Sequence, residues 1–395
     1  MASGAATLAP AAMPTASRPR VLLACAGLDH ALRGFESFAR DCFAALRDEP
    51  SLDLELIKGS GEAGDGERAV RTLTRDHPLA RALGRASRRE PFRFEHAAFG
   101  VSLQRELLRR DPDVVYLSEW HTALVLAKLR RATRRRFRLV LCNGTMAVAG
   151  FEHLDHVQEL TPAALEGNLA AGADPNRHAL LPLGFSIERE LTPPSPEERA
   201  ALRRRAGLRV DRHVVVSVAA LNRHHKRLDH LIEEVARLPP PRPFLLLVGQ
   251  PEPETPGIRA LARERLGDDG HSIRTVPRAE VDALLRASDT FVLASLGEGL
   301  PRALIEGHAA GLPCVAHDYG VTRFALGGHG FLTDLSAPGE LARVLGERLR
   351  AAPDPAAAAR HADAYERFSW DRLRPRYVEM LRTAARRPPT SAPRP

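Results

Sequence analysis

Two glutamates with seven residues between them, Glu298 and Glu306, stand where an apolar run gives way to glycines and then to a helical pattern. The stretch is LASLGEGLPRALIEGHAAGLPCVAHD, residues 293–318. Residues 290–294 read as a buried strand, Gly297 and Gly299 break it, and Pro301 suits the first helical position, where its missing N–H goes unused. Glu298 then lies at the positive end of a helix that stops at Gly311-Leu312-Pro313, and Glu306 lies about one and a half turns in. A helix N-terminus opening from a glycine-bearing loop attracts phosphate, and a carboxylate accepts hydrogen bonds from a sugar diol. Taken alone, the same pair also fits a dipole partner and a solvated helix residue.

Basic groups come from a second strand-end loop. Residues 214–219 (VVVSVA) read as a strand, and LNRHHK follows at 221–226. Arg as a fork or Lys as a point charge would neutralise a diphosphate leaving group there, and solubility would use the same residues. In the first half, the strand DVVYL at 113–117 ends in SEWHTA, which places His121 in a polar cluster at a strand's carboxyl end. Ligands bind at such ends in open α/β sheets, although a capping or packing histidine has the same pattern. Asp111-Pro112-Asp113 has D-x-D spacing but leads into a strand, so it reads as a turn and not as a metal site.

The wording E-G-L-P-x-x-L-I-E, followed by A-A-G-L-P-C-V-A, resembles the E-x7-E signature of the retaining family 4 glycosyltransferases (glycosyl transferases group 1), which have the GT-B fold. The resemblance implies Glu298 beside the donor sugar, the backbone of Gly299 and Leu300 facing sugar and phosphate, and Glu306 on the nucleotide ribose. Lys226 matches the lysine of the family's G-R-x-x-x-x-K-G run. The arginine position falls on Leu221, so Arg223 would have to substitute, and Arg227 replaces the last glycine. His121 matches the strand-end histidine that reaches the donor sugar from the facing domain. The glycine-containing loop after the first strand, which lies against diphosphate and acceptor, falls on Gly34 and Arg33, and the loop at 275–278, with Val276, is where the nucleobase is held by backbone contacts.

The resemblance thus implies transfer of a sugar, with retention, from a UDP- or GDP-type nucleoside diphosphate sugar to a hydroxyl of a glycan, lipid-linked or small-molecule acceptor. No cofactor and no metal are implied. A nucleotide-sugar epimerase or phosphorylase on the same fold competes with that reading. So does a degenerate scaffold, which the altered Leu221 and Arg227 keep open.

At 395 residues the chain is long for one domain, and buried strands alternate with helices twice over. The expected organisation is two doubly wound Rossmann-like α/β domains facing across a cleft. Residues 19–185 form an acceptor domain and 211–367 a donor domain, joined by a linker at 186–210 that is rich in Pro and charge. A last helix over 368–385 crosses back, with Trp370 as a packing anchor. Between about 59 and 99 only helices are expected. Residues 1–18 and 386–395, rich in Ala, Pro, Ser, Thr and Arg, read as a disordered leader and tail without the pattern of a signal peptide.

Composition narrows the partners. Hydrophobic residues make up 44% of the chain, yet no apolar run approaches the roughly 18 residues that would span a bilayer. The net charge of +8 concentrates in arginine-rich runs at 68–89 and 128–138. These suit a peripheral contact with an anionic membrane or a phosphorylated acceptor, or simply solvated helix faces. No nucleic-acid partner is implied. Cys25, Cys42, Cys142 and Cys314 lie far apart in apolar segments and read as buried thiols of a reducing cytoplasm, possible membrane contact then being at its inner face.

Overall fold

The structure is a computed structural model and describes residues 18–31, 34–145, 148, 150–350 and 355–389. Arg33, most of the proposed leader and the last residues of the proposed tail lie outside them. In the first half, strands β1 (Arg20–Cys25), β2 (Asp53–Lys58), β3 (Glu67–Ala69), β4 (Val114–Leu117), β5 (Arg138–Asn143), β6 (His156–Glu159) and β7 (His178–Leu180) alternate with helices α1 (Gly34–Leu46), α2 (Pro78–Ser87), α3 (Pro91–Arg110), α4 (Trp120–Thr133) and α5 (Pro162–Ala170). The second half carries α6 (Pro196–Arg205), β8 (Val214–Val218), α7 (Leu228–Ala236), β9 (Phe244–Val248), α8 (Thr255–Leu266), β10 (His271–Arg274), α9 (Arg278–Arg286), β11 (Thr290–Leu293), α10 (Arg302–Ala309), β12 (Cys314–His317), α11 (Gly320–Leu326) and β13 (Phe331–Thr333). Three helices follow, α12 (Glu340–Arg350), α13 (Ala357–Phe368) and α14 (Trp370–Arg386).

Each half forms one parallel sheet. The orders are β3-β2-β1-β4-β5-β6-β7 and β10-β9-β8-β11-β12-β13. Central strands such as RVLLAC and TFVL are nearly unbroken apolar runs because helices cover both faces of a parallel sheet. The order reverses between β1 and β4 and between β8 and β11, and the crevices outside the carboxyl ends of those pairs are where a ligand can enter.

The last helix and the linker tie the halves together. Phe185 and Ser369 form an isolated parallel bridge, with Phe185 N–H donating to Phe368 O (2.8 Å) and Trp370 N–H to Phe185 O (3.0 Å). Trp370 opens α14, stacks on Phe38 of α1 and meets Tyr377 edge-on. A Cβ on Gly184 would sit 2.5 Å from its ring, so only glycine lets the linker pass so close. Through these residues one apolar cluster runs from Val21 and Phe38 to Phe291 and Leu304 of the second half.

Several elements differ from the sequence reading. β3 stands where only helices were expected: the loop turns at Gly61 and Gly66, both at positive φ, and buried Lys58 holds Glu67 (2.7 Å). The linker stretch contains α6, started by a Ser195/Glu198 capping box. Arg203 fixes α6 to the second half through Ala287 O (2.8 Å) and Asp289 (2.5 Å). Pro301 is the N-cap of α10 rather than its first turn, and Phe368 closes α13 rather than opening the last helix. That last helix runs on to Arg386, past which the Arg387 carbonyl accepts from Arg138 Nε (2.7 Å), so the chain stays ordered beyond the expected start of the tail. Among the described residues no helix is long and apolar enough to cross a membrane.

Candidate active site

The second domain's crevice brings together groups from two loops. After β8, buried Asn222 accepts the N–H groups of His225 (3.2 Å) and Lys226 (2.8 Å) on its side-chain oxygen and fixes the turn. Arg227, the N-cap of α7, then adopts φ 50°, ψ 42°, a left-handed conformation that glycine adopts more easily. Its guanidinium offsets that strain by donating to Leu335 O (2.7 Å), which explains how arginine replaces the glycine expected there.

This turn aims Lys226 Nζ at Glu298 Oε1, 2.5 Å away, in the loop after β11. Ser295 Oγ donates to the same oxygen (2.6 Å), and His225 Nε2 lies 3.1 Å from Gly297 O and 3.7 Å from Glu298. Glu298 is 8% exposed. The lysine and the hydroxyl thus satisfy an oxygen that is shut off from solvent. Tyr319, after β12, completes this corner: its hydroxyl is buried, and burial followed by the charge of Glu298 pushes the phenol up.

Gly299 meets the first domain directly. A Cβ there would sit 2.1 Å from the Gly144 carbonyl oxygen, at the carboxyl end of β5, so the two backbones touch across the cleft. Leu300 is buried beside it. Gly34 opens α1, where the position of a Cβ lies 3.4 Å from Arg302 Cδ, and Arg302 reaches Asp41 of α1 (2.6 Å) and stacks over Phe185. The E-G-L-P-R wording thus lies against the first domain.

Glu306 lies deeper on α10 and pairs with Arg278 (2.6 Å) at the start of α9. Burial pushes its carboxyl up, opposed by Arg302 and Arg278. The pair lines a cavity of about 310 Å³ between the linker and α9 and α10. Val276, next to Arg278, is half-buried against the core, and Thr275 Oγ1 donates to Gly249 O (2.7 Å), tying this loop to the end of β9. A larger open groove, about 1140 Å³ between α1 and α14, contains none of the site residues expected from sequence.

Two expected residues stand apart from this corner. Arg223 lies with its guanidinium against Gly257 of α8 and its N–H on Glu254 (2.7 Å), so His225, passed over in the sequence, is the loop's second side chain at Glu298. His121 sits in the first turn of α4, packed against Phe92 and His96 of α3 at ring separations of 6.1 and 6.2 Å. Burial, then Arg93 and Arg89, lower its pKa, and its ring partners lie on α3 rather than at Glu298, Lys226 or Glu306.

The first domain's strand ends carry charges that sequence reading did not find. Glu119 accepts from Ala26 N–H (2.6 Å) while its other oxygen is buried without a partner; burial raises the carboxyl to about 7. Glu95 is fully buried between His30 (2.6 Å) and Arg75 (2.6 Å); burial pushes its carboxyl up, but the hydrogen bond from His30 and the charge of Arg75 outweigh it and hold the pKa at about 2. Glu36 lies 3.4 Å from Arg75 and so close to Gly27 that a Cβ there would fall 2.2 Å from its oxygen.

Residues 198–362, which hold β8 to β13, match the family described as Glycosyl transferases group 1. Among curated proteins, the chain is 30% identical over 185 residues to the MMP alpha-(1->4)-mannosyltransferase of Mycolicibacterium hassiacum, covering 45% of this chain and 44% of that one. It is 32% identical over 163 residues to the putative glycosyltransferase EpsD of Bacillus subtilis, 41% of this chain and 42% of that one. The matches therefore span less than half the length of these relatives. Over nearly its whole length the fold is similar to Anabaena HepE in complex with UDP-glucose (TM-score 0.70, 20% identity, 92% of this chain and 100% of that one). It is also similar to sucrose-phosphate synthase from Thermosynechococcus elongatus (TM-score 0.74, 17% identity, 93% and 99%). The fold is GT-B.

Proposed function

We propose that the protein is a retaining glycosyltransferase that moves a sugar from a nucleoside diphosphate sugar to an acceptor hydroxyl without a metal ion. The observation that carries the proposal is the convergence of Lys226, Ser295 and Glu298 at the carboxyl ends of β8 and β11, against Gly144 of the facing domain. Lys226 supplies a point charge for the departing diphosphate, and the N-terminus of α10 adds its partial positive charge. That lysine pairs with Glu298; with a donor bound it turns to phosphate and leaves Glu298 to accept from sugar hydroxyls. Glu306 likewise exchanges Arg278 for the ribose diol.

The acceptor hydroxyl attacks on the face the diphosphate leaves, and a leaving phosphate oxygen takes its proton, which preserves the anomeric configuration. HepE, whose structure is described in complex with UDP-glucose, makes a UDP-type donor the first to try. The domain match supports transfer over the scaffold reading. Incubation with UDP-glucose, GDP-mannose and ADP-glucose, followed by NMR of the products, tests the proposal. The expected result is glycoside of unchanged anomeric configuration with full activity in EDTA. An inverted product contradicts retention, and activity lost in EDTA and restored by Mg2+ contradicts metal independence.

A further inference from the structure

Helix α2 has two apolar sides, and only one is covered. Ala80 and Gly84 are buried toward α3. On the other side Leu79, Ala82, Leu83 and Ala86 follow the i, i+3, i+4, i+7 spacing and are all exposed, Leu79 at 53% and Leu83 at 40%. Isolated exposed leucines are ordinary on a soluble protein, but an entire outward apolar stripe on a short helix is not.

The stripe is set among cations. Arg81, Arg85, Arg88, Arg89 and Arg93 are all exposed, against the single carboxylate Glu90 in residues 78–93. Among the described residues, only Arg81 of the five has an acidic partner, the exposed Asp76 at 2.9 Å. The position is equally specific: Phe92 touches His121, and Arg89 and Arg93 lie near enough to depress that histidine's pKa. His121 follows β4, so the segment that leads from α2 into α3 lies beside the carboxyl end of the first sheet.

We propose that this face of α2 docks on an anionic lipid bilayer. Leu79 and Leu83 enter between head groups, the arginines pair with lipid phosphates, and the cleft mouth is held toward an acceptor at the surface. A stripe one helix wide with unpaired arginines on its flanks matches an interfacial helix, whereas a stable protein contact needs a patch of roughly 800 Å² on each partner. The docking does not depend on the transfer reaction and is tested without it.

The experiment is co-sedimentation of the full chain with vesicles of phosphatidylcholine alone and with about one-third phosphatidylglycerol. The protein should pellet with the anionic vesicles and be released by high salt. The double substitution Leu79→Asp/Leu83→Asp touches only exposed side chains, so thermal melting should be unchanged while binding falls about tenfold or more. Arg85→Glu/Arg88→Glu should lower it similarly. Failure of the wild-type chain to pellet with anionic vesicles overturns the proposal, and points instead to a protein or soluble anionic partner. Binding that Leu79→Asp/Leu83→Asp leaves intact also overturns it, by placing the contact elsewhere on the chain.

Discussion

On the second domain, Lys226, Ser295 and Glu298 come from two short loops whose ends are fixed by Asn222 and by the close approach of Gly299. On the first domain, Glu36, Arg75 and Glu95 reach the strand ends from separate elements and hold one another, Glu95 with no exposure at all, and Glu119 is buried on the Ala26 N–H. On the proposed function, charges in the first group exchange their partners for a donor at the cleft; Glu36, Arg75 and Glu95 are locked among themselves. Substitution should therefore cost mainly catalysis in one and mainly stability in the other.

The largest effect expected is on the locked side. Glu95→Ala leaves Arg75 and His30 facing an empty buried site and should cost about 3–5 kcal/mol in denaturant unfolding. Next, Lys226→Ala should lower turnover about 10²–10³-fold while leaving the melting temperature nearly unchanged, as measured by initial rates beside a thermal melt. If Lys226→Ala instead unfolded the chain, the contrast between the two walls would fail.

Glu119 gives a smaller effect with a defined sign. Its folded pKa of about 7 exceeds the ordinary 4.5, so the native state holds the proton longer than the unfolded chain. Its contribution is then fully present below about pH 4.5 and is lost as pH rises to about 7. Glu119→Gln should flatten that slope and stabilise the chain above pH 7 by about 2–3 kcal/mol. Glu95 runs the other way, with a contribution present above about pH 4.5 and lost as pH falls toward 2. Smallest of all, Arg223→Ala should change turnover by less than about threefold, since its guanidinium lies on α8; a large loss would show that it swings into the cleft.

The same contrast explains what the sequence made legible. EGLPRALIE is contiguous, and its strand, glycines and helix can be read one after another, as can the lysine four residues after Asn222. Asn222 itself was open to notice as a side chain that caps the N–H groups three and four residues on. His225 and Tyr319 could not be ranked beforehand, because only the packing of three neighbouring loops brings them to Glu298. Glu119 and Glu95 meet their partners, Ala26 and His30, across long stretches of chain, with no local spacing to announce it. Arg223 was misjudged for a related reason: the loop's composition shows its charge, but the contact with Gly257 depends on α8.

The central claim is that Lys226 and Glu306 lie on the wall that binds a nucleoside diphosphate donor. Isothermal titration of UDP, GDP and ADP into the wild-type chain, Lys226→Ala and Glu306→Ala tests it most directly. One nucleotide should bind the wild type and bind each variant about 10- to 100-fold more weakly. Absence of binding by all three nucleotides, or binding by both variants as tight as by the wild type, would contradict it.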